Sequence, residues 1–195
     1  MNTEIEAKFV NVDHDEIRHK LKDIGATLVQ PMRLMRRVTI ETDNLKSKNA
    51  FLRVRDEGNK VTATYKQFDE LSIDDAKEIE IQVSDFESTV ALFAACGLVS
   101  RSYQESKRES WDLHGTEIVL DVWPWLNPYL EIEGKSTEDV KAVARNLGLM
   151  WDDAVFGDVM AAYRVQYPHL GLHDTVASLP SFLFSDPFPA MLKSS

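Results

Sequence analysis

Cysteine is almost absent from this chain of 195 residues, in which Cys96 stands alone. A single cysteine cannot form an internal disulfide, so the composition favours a reducing compartment such as the cytoplasm. Long apolar runs are also lacking, and none approaches the roughly 18 residues that a membrane-spanning helix needs. The first residues are charged and alternating, unlike a secretory signal. We expect a cytoplasmic protein that does not associate with membranes.

Positive charge is scarce as well, since 22 Lys and Arg residues face 32 Asp and Glu residues, for a formal net charge of −10. A chain this acidic is not expected to bind a nucleic acid polymer through its overall field, although a local basic cavity is compatible with that charge. The 44% hydrophobic and 28% charged content is typical of a globular protein. The length suits one domain with at most an appendage.

Apolar and polar residues alternate with a period of two along most of the chain, which predicts β-strands. The predicted strands cover residues 3–10, 28–42, 50–56, 60–68, 76–83, 100–112, 116–123 and 128–133. Helical spacing of apolar residues, with capping residues at the ends, predicts helices at 12–25, 85–97, 137–147 and 155–166. The fold class is therefore α+β, with residues 1–167 forming one domain.

The last segment, residues 168–195, differs in composition from the rest. It holds four of the seven prolines and the cluster Phe182-Leu183-Phe184. These aromatic residues either dock the segment on the body of the protein or offer a contact to another chain. We favour a docked tail, because that is how ordered termini usually behave.

The polar face of the predicted strands is dominated by ionised groups of both signs. In Glu4-Ile5-Glu6-Ala7-Lys8 every second residue is charged, and the later strands repeat this pattern. In one interpretation the charges form the solvated face of an antiparallel sheet, which periodicity alone favours. In the other, the strands curl into a barrel whose lumen collects the charges.

A charged lumen would need ligands of both signs, because like charges repel and buried charges are costly unless paired. Carboxylates suit Mg²⁺ or Mn²⁺, whereas Arg and Lys suit phosphate oxygens. A metal-chelated polyphosphate would satisfy both groups. The barrel interpretation therefore predicts that class of ligand.

Several short motifs, in order along the chain, resemble those of the CYTH superfamily, the triphosphate tunnel metalloenzymes. Glu4-Ile5-Glu6-Ala7-Lys8 matches the ExExK signature, and Leu52-Arg53-Val54-Arg55 is similar to the LRxR strand. The residues that resemble later elements of the family are Lys66, Glu78-Ile79-Glu80, Lys107-Arg108, Asp121 and Glu131-Ile132-Glu133. The resemblance covers about residues 2–165. The superfamily includes class IV adenylyl cyclases, thiamine triphosphatases and inorganic triphosphatases.

The resemblance implies an eight-stranded antiparallel β-barrel that forms an open tunnel, with helices packed outside. It implies catalytic roles for Glu4, Glu6 and Lys8. The residues implied to bind the triphosphate are Lys8, Arg36, Arg53, Arg55, Lys66 and Arg108. Those implied to hold Mg²⁺ or Mn²⁺ are Glu4, Glu6, Glu80, Asp121, Glu131 and Glu133. A homodimer is compatible with both the family and the aromatic tail.

The chemistry implied by the resemblance needs no general base from a side chain. One metal, with the ring of Arg and Lys, would offset negative charge on the transferred group, and a second would orient an attacking water. None of the five histidines falls on a charged strand face, so all five are predicted to lie at the surface. Trp123 and Trp125 in the last hairpin either stack on a ring of the substrate or pack in the core, which we favour.

The implied function is divalent-metal-dependent hydrolysis of a triphosphate, either inorganic triphosphate or an organic one such as ATP or thiamine triphosphate, with release of phosphate. The last predicted helix lacks the lysine found in the thiamine triphosphatase branch, which counts against thiamine triphosphate. One alternative is a class IV adenylyl cyclase, which converts ATP to cyclic AMP and pyrophosphate. The other is a non-catalytic module that binds polyphosphate or a nucleotide.

Overall fold

The structure, a computed structural model, describes residues 2–68 and 76–193. The strands are β1 (Asn2–Thr3), β2 (Ile5–Val10), β3 (Thr27–Ile40), β4 (Ala50–Asp56), β5 (Val61–Phe68), β6 (Ala76–Val83), β7 (Ser102–Leu113), β8 (Thr116–Val122), β9 (Tyr129–Gly134) and β10 (Ser181–Phe182). The α-helices are α1 (His14–Asp23), α2 (Asp43–Lys46), α3 (Phe86–Ala95), α4 (Thr137–Asn146) and α5 (Val159–Gln166). Short 3₁₀ turns lie at Trp151–Asp153, Val176–Ser178 and Ala190–Leu192.

The predicted secondary structure agrees closely with the observed elements. The alternating segments form the long strands, and the capping residues begin the helices: the carboxylate of Asp13, for example, accepts hydrogen bonds from the first turn of α1. The one-turn helix α2 and the two-residue strand β10 were not predicted, because elements this short carry no periodic signal. None of the helices in the described part of the chain has the length and apolar character needed to cross a bilayer.

The sheet closes on itself through the N-terminal segment. Its strand order is β1-β6-β5-β4-β3-β7-β8-β9-β2, and the neighbours along this path are antiparallel. The two ends of the path, β1 and β2, are consecutive in the chain and separated only at Glu4. Closure pairs β6 with β1 at Lys77 and Glu78. Within the described residues, the predicted antiparallel barrel of eight long strands is confirmed.

Helices pack on the outside of the barrel, against the apolar faces of several strands. Leu21 of α1 and Val140 of α4 pack on outward-facing residues of β2, β8 and β9, such as Phe9 and Ile132. On the other side, Phe86 of α3 packs against β3 and β4. With the apolar faces turned outwards, the alternating charged faces point into the lumen, while Ile79 and Ile81 of β6 remain exposed on the outside.

The C-terminal segment packs against one end of the barrel and forms a second apolar cluster there. Phe182 of β10 is fully buried, and its ring lies 5.0 Å from that of Trp125 and 5.9 Å from that of Tyr163. β10 also pairs in parallel with the beginning of β7. Val176, in one of the 3₁₀ turns, joins the same cluster and also lines the lumen.

Candidate active site

A cavity of about 330 Å³ occupies the barrel lumen, a size within the usual range for small-molecule sites. Most of its charged side chains fall into two groups, and Glu41, Glu57, Lys60, Glu78, Glu80 and Asp158 line it as well. The acidic wall, on β2, β8, β9 and the interruption before β2, consists of Glu4, Glu6, Glu117, Glu131 and Glu133. The basic wall, on β3, β4 and β7, consists of Arg33, Arg37, Arg53, Arg55 and Arg108. Lys8 belongs to the acidic wall, and Lys66 lies next to that wall.

Lys8 is the cation at the centre of the acidic wall. Its Nζ lies 2.8 Å from Glu6 Oε1 and 3.0 Å from Glu131 Oε2, and the side chain is almost completely buried. Burial by itself would lower the pKa of Lys8, but the carboxylates of Glu131 and Glu6 outweigh it and raise the pKa. Burial likewise opposes ionisation of Glu131, yet Lys8 and Arg108 lower its pKa below the ordinary value. Lys8 and Glu131 are therefore both ionised although they are buried.

Glu4 lies where the N-terminal strand is interrupted, and its partner there is Lys66. The two side chains form an ion pair across the barrel seam. Burial raises the pKa of Glu4, with the nearby carboxylate of Glu78 adding to the rise, although Lys66 acts in the opposite direction. The seam of the barrel thus brings a further carboxylate to the acidic wall.

Glu133 is the acid whose charge is least compensated. It lies directly opposite Glu6 on β2 and opposite Glu117 on β8. Burial, followed by the carboxylates of Glu4 and Glu131, raises the pKa of Glu133 to about 8. The acidic wall therefore carries more negative charge than its neighbouring lysines balance.

This surplus fits a divalent cation. In residues 2–68 and 76–193, no three acidic, histidine or cysteine side chains converge closely enough to hold a metal ion by themselves. Mg²⁺, however, is usually held by one or two carboxylates and keeps several waters. Hard carboxylate oxygens are its preferred ligands, and those of Glu4, Glu6, Glu131 and Glu133 are the ones that would hold it.

In the basic wall, Arg108 is held in a fixed orientation by Asp121. Arg108 donates from Nε to Asp121 Oδ1 at 2.8 Å and from Nη2 to Oδ2 at 2.5 Å, and the hydroxyl of Tyr129 donates to the same carboxylate. Asp121 is almost fully buried behind Arg108 and is not among the residues that line the cavity. Its position indicates that it orients Arg108, whereas the resemblance implied a metal ligand.

Arg53 and Arg55 project from alternate positions of β4 into the same space. Arg55 Nη2 lies 2.6 Å from Glu57 Oε1, and Arg53 Nη2 lies 3.6 Å from Glu80 Oε2. Burial and the proximity of Arg55 lower the pKa of Arg53 to about 10. Both Nε atoms are buried and lack a hydrogen-bond partner in the described part of the protein. Unsatisfied buried donors beside a cavity indicate an anionic ligand, because leaving them unpaired costs free energy.

The structure brings nearly all the predicted site residues together. Those that line the cavity are Glu4, Glu6, Lys8, Arg53, Arg55, Lys66, Glu80, Arg108, Glu131 and Glu133. Glu78, the first residue of the Glu78-Ile79-Glu80 motif, lines it as well. The interpretation of the charges as a solvated sheet face is wrong, since these side chains face an internal cavity.

Arg36 was predicted to bind the triphosphate, and the structure places it elsewhere. It lies on the outer face of β3, where its guanidinium pairs with Asp56 at 2.9 Å and with Glu87 at 3.0 Å. The physical reason is that side chains alternate between the two faces of the strand. Position 36 shares a face with Val38 and Ile40, which are buried in the apolar outer layer. Arg37, one residue later, faces the cavity instead.

Sequence reasoning missed Arg33, Arg37 and Glu117 in the lumen. Val38 and Ile40 are buried on the outer face, so the alternation of side chains along β3 would have assigned Arg37 to the inner face. Arg33 was harder to place, because β-bulges interrupt the register of β3 before it. Glu117 lies outside the quoted motifs, and only the pairing with Glu133 reveals its position.

Two predictions about aromatic and imidazole side chains have different outcomes. Trp123 and Trp125 pack in the apolar cluster with the C-terminal segment, in agreement with the core role that we favoured. The prediction that all histidines lie at the surface is wrong for His14. Its ring is buried, with Nε2 3.0 Å from the carbonyl oxygen of Tyr129, because the first turn of α1 packs directly on the end of β9.

A closed antiparallel barrel whose lumen sets a carboxylate wall against a guanidinium wall defines a class of charged-tunnel proteins. The chain belongs to the CYTH family, since the model of the CYTH domain matches residues 2–151. No curated protein gives a significant sequence match. The matched region contains all the strands of the barrel and ends before α5 and the C-terminal segment.

Solved structures support the same fold. The PH1012 protein from Pyrococcus horikoshii is 26% identical, with 77% of this chain and 93% of that chain covered at a TM-score of 0.67. A protein described as a putative adenylate cyclase from Vibrio parahaemolyticus is 14% identical, with 83% and 98% covered at a TM-score of 0.71. The putative adenylyl cyclase HpAC1 from Hippeastrum, whose structure is described as revealing a dominant triphosphatase activity, is 16% identical, with 84% and 96% covered at a TM-score of 0.56.

Proposed function

We propose that this protein hydrolyses a triphosphate, inorganic or organic, in a reaction that depends on Mg²⁺ or Mn²⁺ and releases phosphate. The observation that carries the proposal is the division of one cavity into an acidic and a basic wall. A polyphosphate chelated by a divalent cation presents negative oxygens to one side and positive charge to the other. The description of HpAC1, a relative in fold, as a triphosphatase is consistent with the proposal.

The basic wall would bind the phosphate chain. Arg53 and Arg55 each have a buried Nε without a partner among the described residues, so each can donate to a phosphate oxygen without first losing another hydrogen bond. Arg108 is already oriented by its two bonds to Asp121. Such preorganised donors stabilise charge that develops on the transferred phosphoryl group, because they need not reorient during the reaction.

The acidic wall would supply the ligands of the cation, chiefly through Glu133 and the neighbouring carboxylates. When bound, Mg²⁺ or Mn²⁺ supplies charge neutralisation on the phosphate oxygens and a water of lowered pKa. Lys8 holds Glu6 and Glu131 in place. A phosphate binder that works without metal would gain nothing from this many carboxylates, since they repel its ligand.

The test is a product analysis with inorganic triphosphate, ATP and thiamine triphosphate, each with Mg²⁺, with Mn²⁺ and with EDTA. We expect metal-dependent release of orthophosphate. Glu131→Gln should lower kcat/KM by about 100-fold or more, since it removes a carboxylate from the acidic wall. The matched control is Glu138→Gln on the exposed face of α4, which should retain wild-type activity.

Two other outcomes would contradict the proposal. Release of pyrophosphate together with cyclic AMP from ATP would identify a cyclase, in which the same cavity presents the α-phosphorus. Binding of triphosphate without any product, by wild-type protein in either metal, would identify a non-catalytic binding module. In that case Glu131→Gln should bind the anion as tightly as the wild type or more tightly.

A further inference from the structure

Among the described residues, Arg37 lacks the carboxylate partner that the other four arginines of the basic wall have. Their ion pairs, each within 4.0 Å, are Arg33 and Arg55 with Glu57, Arg53 with Glu80, and Arg108 with Asp121. In the described part of the chain, no carboxylate comes within that distance of Arg37. Within residues 2–68 and 76–193, this guanidinium is therefore left without a counter-charge.

The side chains that contact Arg37 directly are neutral and closely packed. Its Nη2 donates to the hydroxyl of Ser106 at 2.6 Å, and its guanidinium carbon lies 4.4 Å from the centroid of the Trp123 ring. The residue is only 7% exposed. These two contacts hold the guanidinium in one orientation, but neither supplies negative charge.

Two donors at this place have no acceptor in the part of the chain that the structure describes. Arg37 Nε and Trp123 Nε1 are both buried, and within the described residues neither has a hydrogen-bond partner. Both residues line the cavity. A buried charge without an ion-pair partner and a buried N–H without an acceptor are each costly, and such costs are typical of sites completed by a ligand.

We propose that Arg37 is a further substrate-binding residue, which donates to a phosphate oxygen of the bound triphosphate while Trp123 positions it and adds its indole N–H to the same anion. This inference rests on the proposed function, because the anion is the substrate of that site. Within the described residues, Arg37 is the guanidinium of the basic wall with which no acid pairs, and the phosphate chain supplies the missing negative charge.

Trp123 is suited to a positioning role because its opposite side is fixed. It belongs to the apolar cluster that contains Phe182, Val176 and Met160. The C-terminal segment therefore supports the ring on which Arg37 stacks. The CYTH match ends at residue 151, so this support comes from outside the matched region.

The experiment is a calorimetric titration with inorganic triphosphate in EDTA, where turnover by a metal-dependent enzyme does not interfere. Arg37→Met keeps an unbranched side chain on Trp123 and removes the charge, and we expect about 10- to 100-fold weaker binding. Trp123→Phe keeps the ring and removes the N–H, and a loss of about 3- to 10-fold is expected. The matched control is Arg36→Gln, which removes a guanidinium from the outer face of the same strand and should bind like the wild type.

Thermal unfolding without ligand distinguishes binding from a structural role. Removing an unpaired buried charge should leave the melting temperature of Arg37→Met equal to that of the wild type or higher. A clear decrease, or a variant that does not fold, would instead indicate a structural arginine, and Arg37→Lys then tests the inference. This variant retains the charge but not the planar fork, so its affinity should still fall several-fold, and an affinity equal to that of the wild type would overturn the inference.

The outcomes separate the inference from the function on which it rests. If the wild type binds triphosphate and both Arg37 variants bind it equally well, the inference is wrong and the proposed function stands. If the wild type does not bind triphosphate with or without Mg²⁺, the proposed function and the inference are both wrong. A selective loss in the Arg37 variants, with Arg36→Gln unchanged, supports both.

Discussion

Glu6 and Glu133 lie directly opposite each other on β2 and β9, with both side chains in the barrel lumen. Two carboxylates at paired positions repel each other unless a cation lies nearby. Lys8 contacts Glu6, whereas the neighbours that most affect Glu133 are themselves acidic. The barrel therefore holds an uncompensated acid at the place where the proposed cation would bind.

We predict that Glu133 makes the ligand-free protein less stable as the pH rises. Its pKa is about 8 in the folded protein, against an ordinary value of 4.5, so folding takes up a proton between these two pH values. Stability must then fall as the pH rises through this window, and the loss is complete above about pH 8. Glu133→Gln should raise the melting temperature at pH 8.5 by about 2–8 °C, with little difference near pH 4.5.

The control for this prediction is Glu138→Gln, which replaces an exposed acid on α4. Its change in melting temperature relative to the wild type should not depend on pH. Saturating Mg²⁺ should stabilise the wild type more at pH 8.5 than at pH 6, because the cation competes with the proton for the carboxylate. If the melting temperatures of the wild type and of Glu133→Gln change in parallel with pH across this range, Glu133 has an ordinary pKa.

Replacement of Lys8 should destabilise the barrel. Lys8→Met leaves the buried carboxylates of Glu6 and Glu131 without their central cation. We expect the free energy of unfolding in urea to fall by about 3–5 kcal/mol at pH 7, and by less in acid, where the carboxylates are protonated. Lys20→Met, which removes an exposed pair with Glu16, should change it by less than about 1 kcal/mol. Equal urea midpoints for Lys8→Met and Lys20→Met would contradict the prediction that the buried ion pairs stabilise the protein.

The docking of the C-terminal segment depends on Phe182. Its ring is fully buried between Trp125 and Tyr163, so Phe182→Ala should cost about 3–5 kcal/mol of stability. The fluorescence of Trp125 should also shift towards the red as the segment detaches. Phe184→Ala, two residues away and 37% exposed, is the matched control and should cost about 1 kcal/mol or less. If Phe182→Ala melts like the wild type, the segment does not contribute to the folded body.

The sequence by itself determined the strands and the chemistry that they carry. Alternation has a period of two whatever the strand pairs with, so residues such as Arg53 and Arg55 could be assigned to one face from local pattern alone. Capping residues determined the helix ends in the same local way. The ordered motifs around Glu4, Lys66 and Glu131 indicated the family, and the family implied the barrel.

Only the tertiary structure decided which face of each strand is internal and which charges meet. Arg36 and Arg37 are adjacent and identical, and it is the packing of Val38 and Ile40 under α3 and in the outer layer that directs Arg37 inwards. Closure of the ring through residues 2–10 brings Glu4 to Lys66. Such pairings join residues far apart in the chain, and no local pattern encodes them, because they depend on strand order, register and closure.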